Sequence, residues 1–144
     1  MQRILLVDDH AVIRKGIQHF GRLARVAVCG EVANGEEVVR LTKDLKPDIV
    51  LMDISVPGMG GLEATRAIRK ICPDAKVLML TLHDALEWVE TALNAGARGY
   101  LLKSDTEGEL MRALKVVVAN GIYASPCLHA DRVNRIAVEL GLVV

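Results

Sequence analysis

The sequence is poor in the residues from which several special kinds of site are built. Aromatic residues make up only 3% of its 144 residues, so the core must consist mainly of aliphatic side chains. Its three cysteines, Cys29, Cys72 and Cys127, are widely spaced and form no CxxC pair. Neither a zinc site nor a disulfide framework is therefore indicated, and we expect free thiols in a reducing compartment.

Long apolar runs and an excess of charge of one sign are also missing. No run approaches the roughly 20 apolar residues of a membrane span, and no signal peptide is recognisable, so we expect a cytoplasmic protein without membrane contact. The 18 basic residues are balanced by 18 acidic ones. Because a free-standing nucleic-acid binder needs surplus Lys and Arg to neutralise phosphates, we do not expect this chain alone to bind DNA.

The sequence does have a regular alternation of short apolar runs and helical stripes. Each of five runs predicts a strand, and a stripe of helical period follows each one. The predicted strands are Ile4–Val7, Val26–Val32, Asp48–Ile54, Lys76–Leu82 and Gly99–Lys103. They are apolar nearly throughout, which is typical of a parallel sheet covered on both faces. The pattern predicts an α/β fold of the (βα)5 type, a doubly wound three-layer sandwich.

Local signals mark where the predicted helices begin and end. Asn34-Gly35 precedes the second helix, and Ser104 with Glu107 three residues later predicts a capping box at the start of the fifth. Asn120-Gly121 is a typical end for the fifth helix. These signals support five βα units that are complete by residue 121.

The remainder, residues 122–144, is predicted to be an appendage to a domain of residues 1–121. Pro126 interrupts the chain, and an apolar stripe predicts one further helix from about 128 to 140. This C-terminal helix has three open interpretations. It packs on the domain, pairs with a second copy, or begins a linker.

Polar side chains follow four of the predicted strands at the point where each strand ends. Asp8 and Asp9 follow the first strand, Asp53 ends the third, Thr81 lies at the end of the fourth, and Lys103 ends the fifth. The carboxyl ends of parallel strands meet at one edge of the sheet, where sites form in such folds. Three carboxylates crowded there would repel one another, and a hard divalent cation such as Mg²⁺ would relieve the repulsion.

A phosphoryl group is the expected reactant at such an edge. A metal ion and a lysine ammonium neutralise the oxygens of a phosphoryl group during transfer. A glycine-rich nucleotide loop is not indicated, because Gly58-Met59-Gly60-Gly61 lacks the lysine and the spacing of a P-loop. A dinucleotide-binding enzyme is therefore disfavoured.

The same residues resemble the receiver domain of two-component response regulators. The resemblance rests on Ile4–His10, on Asp48–Asp53 leading into Pro57–Gly61, on Thr81, and on Gly99–Lys103. It covers residues 1 to about 121. The Asp-Asp-His and Gly-Tyr-Leu-Leu-Lys-Ser motifs resemble the NarL/FixJ subfamily most. The resemblance implies a flavodoxin-like, CheY-like sandwich with strand order 2-1-3-4-5.

The resemblance also implies roles for the acidic residues. Asp53 would be the phospho-acceptor, a carboxylate nucleophile that becomes an acyl phosphate. Asp9, Asp53 and the main-chain carbonyl of Ser55 would bind Mg²⁺ directly, and Asp8 would act through a metal-bound water. The protein would be no enzyme beyond self-catalysed phosphoryl transfer to Asp53 and autodephosphorylation.

Further implied roles concern the switch. Lys103 and Thr81 would contact phosphoryl oxygens, and Tyr100 would be a switch residue whose rotamer follows Thr81. Phosphorylation would change the face formed by the fourth helix, the fifth strand and the fifth helix, and so control an output, transcription in this subfamily.

The partners implied by the resemblance are a sensor histidine kinase and, on phosphorylation, a second copy of the chain. The phosphoryl donor would be a phosphohistidine of the kinase or a small molecule such as acetyl phosphate. DNA would be contacted only through a helix-turn-helix domain absent from this chain, to which residues 122–144 would be the linker.

Two alternatives remain open at this stage. The first is a receiver-like interaction module that acts without phosphorylation, favoured only by Leu82, a bulky residue that could crowd the site beside Thr81. The second is a Mg²⁺-dependent phosphatase with an aspartyl nucleophile, as in the haloacid dehalogenases. That class carries a DxD pattern after its first strand, whereas the residues two after Asp8 and Asp9 are His10 and Ala11.

Overall fold

The computed structural model describes residues 2–8, 26–55, 58–128 and 130–142. The strands are β1 Gln2–Val7, β2 Val26–Val32, β3 Ile49–Asp53, β4 Lys76–Thr81, β5 Gly99–Leu102 and β6 Tyr123–Ala124. The helices are α1 Gly35–Leu45, α2 Gly61–Ile71, α3 Leu86–Ala95, α4 Thr106–Val118 and α5 Ala130–Glu139, with 3₁₀ turns at Lys103–Asp105 and Pro126–Leu128. The first predicted helix lies outside the described residues, so the fourth and fifth predicted helices are α3 and α4.

The strands form one parallel sheet in the order β2-β1-β3-β4-β5-β6. The predicted order 2-1-3-4-5 and the doubly wound α/β fold are confirmed. The sixth strand was not predicted, because two residues are too few to show a period. It pairs with β5 in parallel and so covers an edge that the prediction left open.

Alternate residues of each central strand face opposite layers of helices. Leu5, Val50 and Met79 belong to the cluster that packs against α1, α2, α3 and α5. Ile4 and Leu51 belong to the cluster that packs against α4. Both faces of the sheet are thus covered, which explains why the strands are apolar in nearly every position.

One helix start was predicted correctly and another was wrong. Asn34 caps α1, its side chain accepting a hydrogen bond from the Glu37 amide at 3.0 Å. Ser104 does not cap α4, which begins at Thr106 after Asp105. The chain leaves β5 through a 3₁₀ turn that contains Ser104, whereas an N-cap residue needs extended backbone. The Thr106 hydroxyl donates instead to the Lys103 carbonyl at 3.0 Å.

The residues after 121 pack on the rest of the chain. Helix α5 contacts α3, and Leu128 and Val133 are buried in the same cluster as Tyr100 and Leu102. Of the three interpretations of the C-terminal helix, packing on the domain is the one observed within this chain. A functional boundary near residue 121 stays a prediction. Among the described residues, no helix combines the length and the apolar character that crossing a bilayer requires.

Candidate functional site

Four of the predicted site residues lie at the carboxyl edge of the sheet. Asp8 directly follows β1, Asp53 ends β3, Thr81 ends β4, and Lys103 directly follows β5. The first three are fully buried, and the Lys103 side chain is only 8% exposed. Charged and hydroxyl groups are rarely enclosed this completely unless partners are provided. The edge is therefore a built polar site within an aliphatic core.

The centre of this site is an ion pair between Asp53 and Lys103. The Lys103 ammonium donates to Asp53 Oδ2 at 2.8 Å, across a separation of 50 residues in sequence. The other carboxylate oxygen, Oδ1, accepts a hydrogen bond from the Ser55 amide at 2.9 Å. Both oxygens of Asp53 are thus fixed in direction, which orients a carboxylate that would act as a nucleophile.

Glycine lets α2 begin directly behind Asp53. A Cβ atom at Gly61 would lie 2.7 Å from the Asp53 carbonyl oxygen and 2.7 Å from Ile54 Cα, closer than real Cβ atoms approach. The Gly61 amide donates to the Ile54 carbonyl at 3.2 Å. The Gly-rich stretch that lacks the P-loop pattern therefore has a packing role. It brings the start of α2 against the end of β3.

The predicted metal ligands are only partly covered by the described residues. Asp8 and Asp53 lie at the same edge of the sheet, and Ser55 lies beside Asp53, whereas Asp9 falls outside the described residues. Among the residues that the structure describes, no group of three or more His, Cys, Asp or Glu is placed to hold a metal ion. The oxygen donors at the edge, two buried carboxylates and a nearby main chain, fit a hard cation.

A neutral hydrogen-bond network surrounds the end of β4. The Thr81 hydroxyl oxygen accepts from the His83 amide at 3.0 Å, and the Tyr100 hydroxyl donates to the His83 carbonyl at 2.7 Å. Tyr100 is fully buried. Burial raises the pKa of Tyr100 and the negative charge of Asp84 adds to this, while a hydrogen bond with Thr81 opposes it. The predicted switch pair is therefore brought together, with Tyr100 turned inward.

Two large side chains flank this network. The ring of Trp88 stacks on His83 with 4.3 Å between ring centroids and 10° between ring planes, and Trp88 is 37% exposed. Leu82 is 75% exposed, so its side chain points largely into solvent and does not fill the buried space at Thr81. Crowding of the phosphoryl site by Leu82 stays a prediction.

Sequence reasoning missed Ser125, which is hydrogen-bonded to β5, the strand that precedes Lys103. The hydroxyl of Ser125, which is 1% exposed, accepts a hydrogen bond from the Leu102 amide at 2.8 Å. The only available signal was the Tyr123-Ala124-Ser125-Pro126 stretch, an extended sequence before a proline. No periodicity pointed to its contact with β5.

Comparisons with known proteins agree with this geometry. The family model of the response regulator receiver domain matches residues 4–115. The chain is 40% identical over 127 residues to the response regulator GacA of Pseudomonas viridiflava, covering 88% of this chain and 59% of that protein. It is 37% identical over 142 residues to the nitrate/nitrite response regulator protein NarL of Escherichia coli K12, covering 94% and 66%. The chain thus spans about three-fifths of the GacA sequence.

A solved structure gives the same result. The crystal structure of a two-component response regulator of the LuxR family from Aurantimonas sp. SI85-9A1 superposes with a TM-score of 0.82 at 38% identity, covering 96% of this chain and 99% of that one. The residues matched by the family model include all four described residues at the carboxyl edge of the sheet, Asp8, Asp53, Thr81 and Lys103. The chain therefore belongs to the response regulator receiver family and is of the NarL/FixJ type.

Proposed function

We propose that this chain is a phosphorylation-dependent switch in which Asp53 accepts a phosphoryl group from a phosphohistidine of a sensor kinase. The observation that carries the proposal is the fully buried Asp53 carboxylate, held at 2.8 Å by the Lys103 ammonium at the edge shared with Asp8 and Thr81. A buried carboxylate oriented by a lysine is suited to attack phosphorus, and membership of the receiver family supports the same role.

The transfer exchanges one bond to phosphorus for another. An Asp53 oxygen forms a bond to phosphorus, the bond from phosphorus to the histidine nitrogen breaks, and its electron pair leaves with the imidazole, which is then protonated from solvent. Lys103 would neutralise charge on the phosphoryl oxygens. The Thr81 hydroxyl, now hydrogen-bonded to the His83 amide and to Tyr100, would turn to donate to one of them. Hydrolysis by water would reverse the modification.

Magnesium is the cofactor we propose for this site. Asp8, Asp9, Asp53 and the Ser55 carbonyl would hold it, and the ion would supply positive charge to the oxygens of the transferred group. The burial of Asp8 and Asp53 at one edge supports this assignment, because two enclosed carboxylates carry two negative charges and Lys103 supplies only one positive charge near them.

The output proposed for this chain is control of transcription. A phosphoryl group adds nearly two negative charges, which would attract the Lys103 ammonium and the Thr81 hydroxyl. The movement of these side chains would shift the ends of β4 and β5 and so change the face formed by α3, β5 and α4. We propose that this change controls transcription through a DNA-binding domain, with dimerisation of the phosphorylated form. The proposed partner is a sensor histidine kinase, and the proposed location of this chain is cytoplasmic. This chain covers 59% of GacA and 66% of NarL, so both relatives contain residues outside the matched region.

The test is phosphorylation of the purified chain. Incubated with Mg²⁺ and acetyl phosphate, the protein should gain about 80 Da in intact mass, the increment of one phosphoryl group that replaces a proton. Asp53→Asn should abolish the gain, because an amide cannot serve as the nucleophile. Asp74→Asn, the same change at an exposed turn, should leave it intact.

The outcomes separate the alternatives. An absent adduct in the parent protein would favour an interaction module that acts without phosphorylation. An adduct that persists in Asp53→Asn would move the acceptor to another residue. Multiple turnover on phosphate monoesters would instead indicate the phosphatase alternative.

A further inference from the structure

The residues after α4 are hydrogen-bonded to the strand that carries Tyr100 and precedes Lys103. The Tyr123 amide donates to the Arg98 carbonyl at 3.0 Å, and the Ser125 amide donates to the Tyr100 carbonyl at 3.0 Å. We call residues 123–142 the C-terminal segment. Its first two residues form β6, the edge strand next to β5, so the segment borders the strand that the proposed switch would move.

Ser125 ends this ladder in an unusual way. Its carbonyl turns away and accepts from the Leu128 amide at 3.0 Å, as the chain enters the 3₁₀ turn. The acceptor for the Leu102 amide is instead the Ser125 hydroxyl, at 2.8 Å. Pro126 has no amide hydrogen and cannot extend the ladder. The side chain of one buried serine therefore completes the hydrogen bonding of β5, at the residue immediately before Lys103.

The far end of the C-terminal segment packs on α3, which with β5 and α4 forms the face that phosphorylation is proposed to change. Helix α5 contacts α3, and Val133 is 2% exposed in the cluster that also contains Tyr100 and Leu102. The segment thus contacts both β5, through Ser125, and α3, through α5. A change in β5 relative to α3 cannot leave the segment undisturbed, since packed interiors do not deform continuously.

We propose that Ser125 is a positioning residue that couples the phosphoryl site to the C-terminal segment. The proposal rests on the proposed phosphorylation of Asp53. A phosphoryl group gives Lys103 and Thr81 new charged acceptors, which hold the end of β5 more firmly. The Ser125 hydroxyl passes this ordering to residues 123–128 and through them to α5. Because coupling between two sites is reciprocal, removing the hydrogen bond of the Ser125 hydroxyl also makes the position of Lys103 less ordered.

The experiment is hydrogen–deuterium exchange of the full chain with Mg²⁺, with and without beryllofluoride as a phosphoryl mimic. The amides of residues 123–128 should exchange about fivefold more slowly with beryllofluoride, the factor that corresponds to one additional hydrogen bond. Ser125→Ala should lose most of this protection and should bind beryllofluoride about fivefold more weakly. Ser125→Thr keeps the hydroxyl and should retain both responses. Ser104→Ala, on the exposed side of Lys103, is the matched control and should behave as the parent.

The readout separates positioning from mere stability. A purely structural serine would raise exchange equally in the free and beryllofluoride-bound states, leaving their ratio as in the parent protein, and that result would overturn the proposal. An unchanged exchange of residues 123–128 in the parent would also overturn it, and this measurement stands even where Ser125→Ala does not fold. If the parent forms no adduct at all, the phosphorylation proposal itself fails, which is a separate outcome.

Discussion

Two groups of side chains meet at the carboxyl edge of the sheet, and they differ in charge. The first is the Asp53–Lys103 ion pair, fully buried on the aspartate side and separated by 2.8 Å. The second is the neutral network in which Tyr100 and Thr81 bond to the backbone of His83. The pair joins β3 to β5, whereas the network joins the end of β4 to β5.

The difference in charge implies a difference in cost. Removing one partner of a buried ion pair destabilises a protein by about 3–5 kcal/mol, whereas one neutral hydrogen bond contributes about 1 kcal/mol. A phosphoryl group changes the charge by nearly two units. Under the proposed phosphorylation of Asp53, the ion pair would be the element that senses the new charge. The neutral network would be the element that rearranges at a small cost in free energy and reports the change.

The largest effect is expected when the ion pair is broken from the lysine side. Lys103→Met should lower the free energy of unfolding by about 3 kcal/mol, because the Asp53 carboxylate loses its buried cation. It should also slow adduct formation. Urea unfolding measures the first effect and intact mass the second, with Lys115→Met, at an exposed position on α4, as the control.

A double variant sharpens this prediction. Asp53→Asn combined with Lys103→Met removes both charges, so it should be more stable than the Lys103→Met single variant. If the two single losses simply add in the double variant, the pair does not interact, and the distinction between the two groups of side chains fails.

The neutral network should show smaller effects that are nevertheless visible at a distance. Tyr100→Phe removes the hydrogen bond to the His83 carbonyl and should cost about 1 kcal/mol in unfolding free energy, while adduct formation continues. Because Trp88, the only tryptophan, stacks on His83, its fluorescence should change as well.

Tyr123→Phe is the matched comparison for this variant. It also removes a tyrosine hydroxyl, which donates to Glu109 Oε1 at a distance of 2.8 Å. This hydroxyl does not contact His83, on which Trp88 stacks. The variant's cost in stability should be somewhat larger, about 1.5–3 kcal/mol, because the acceptor is charged, but Trp88 fluorescence should stay as in the parent. Equal spectral changes in the two variants would mean that the network does not report specifically through His83.

The contrast between the two groups also explains what the sequence could predict. The strands and their order follow from apolar runs and βα alternation. Asp53 and Lys103 could be placed at one edge because both end parallel strands. The register in which the strands pair and the two-residue strand β6 could not be predicted, since they depend on hydrogen bonds between segments distant in sequence.

The site shows the same limit at the level of atoms. His83 joins the network through its amide and carbonyl, groups that every residue has, so no side-chain pattern could identify it. Ser125 acts through a hydroxyl, but its partner is a main-chain amide 23 residues away. The failure of Ser104 as a cap has the same origin, because the 3₁₀ turn after β5 is set by the strand's end and not by the S-x-x-E motif.

The smallest effect at neutral pH is expected from the ionisation of the two tyrosines. Burial raises the pKa of Tyr100 above its ordinary value of 10.0. Burial and the hydrogen bond to Glu109 raise the pKa of Tyr123 further. The folded state therefore keeps both phenolic protons at a pH at which the unfolded chain releases them. The contribution of the two tyrosines to the free energy of unfolding is fully present below pH 10 and is lost as the pH rises beyond it.

Ultraviolet titration of tyrosinate, in native buffer and in urea, measures this directly. Both phenols should titrate near 10 in urea and later in the folded protein. Tyr123→Phe should remove more of the alkaline loss in unfolding free energy than Tyr100→Phe, because the Tyr123 shift is the larger and includes the charge of Glu109. If Tyr100 instead accounted for most of the loss, the hydroxyl at His83 would be held more tightly than one neutral hydrogen bond allows. The network would then resist rearrangement almost as strongly as the ion pair does. It could not be the group that rearranges at a small cost in free energy when Asp53 is phosphorylated.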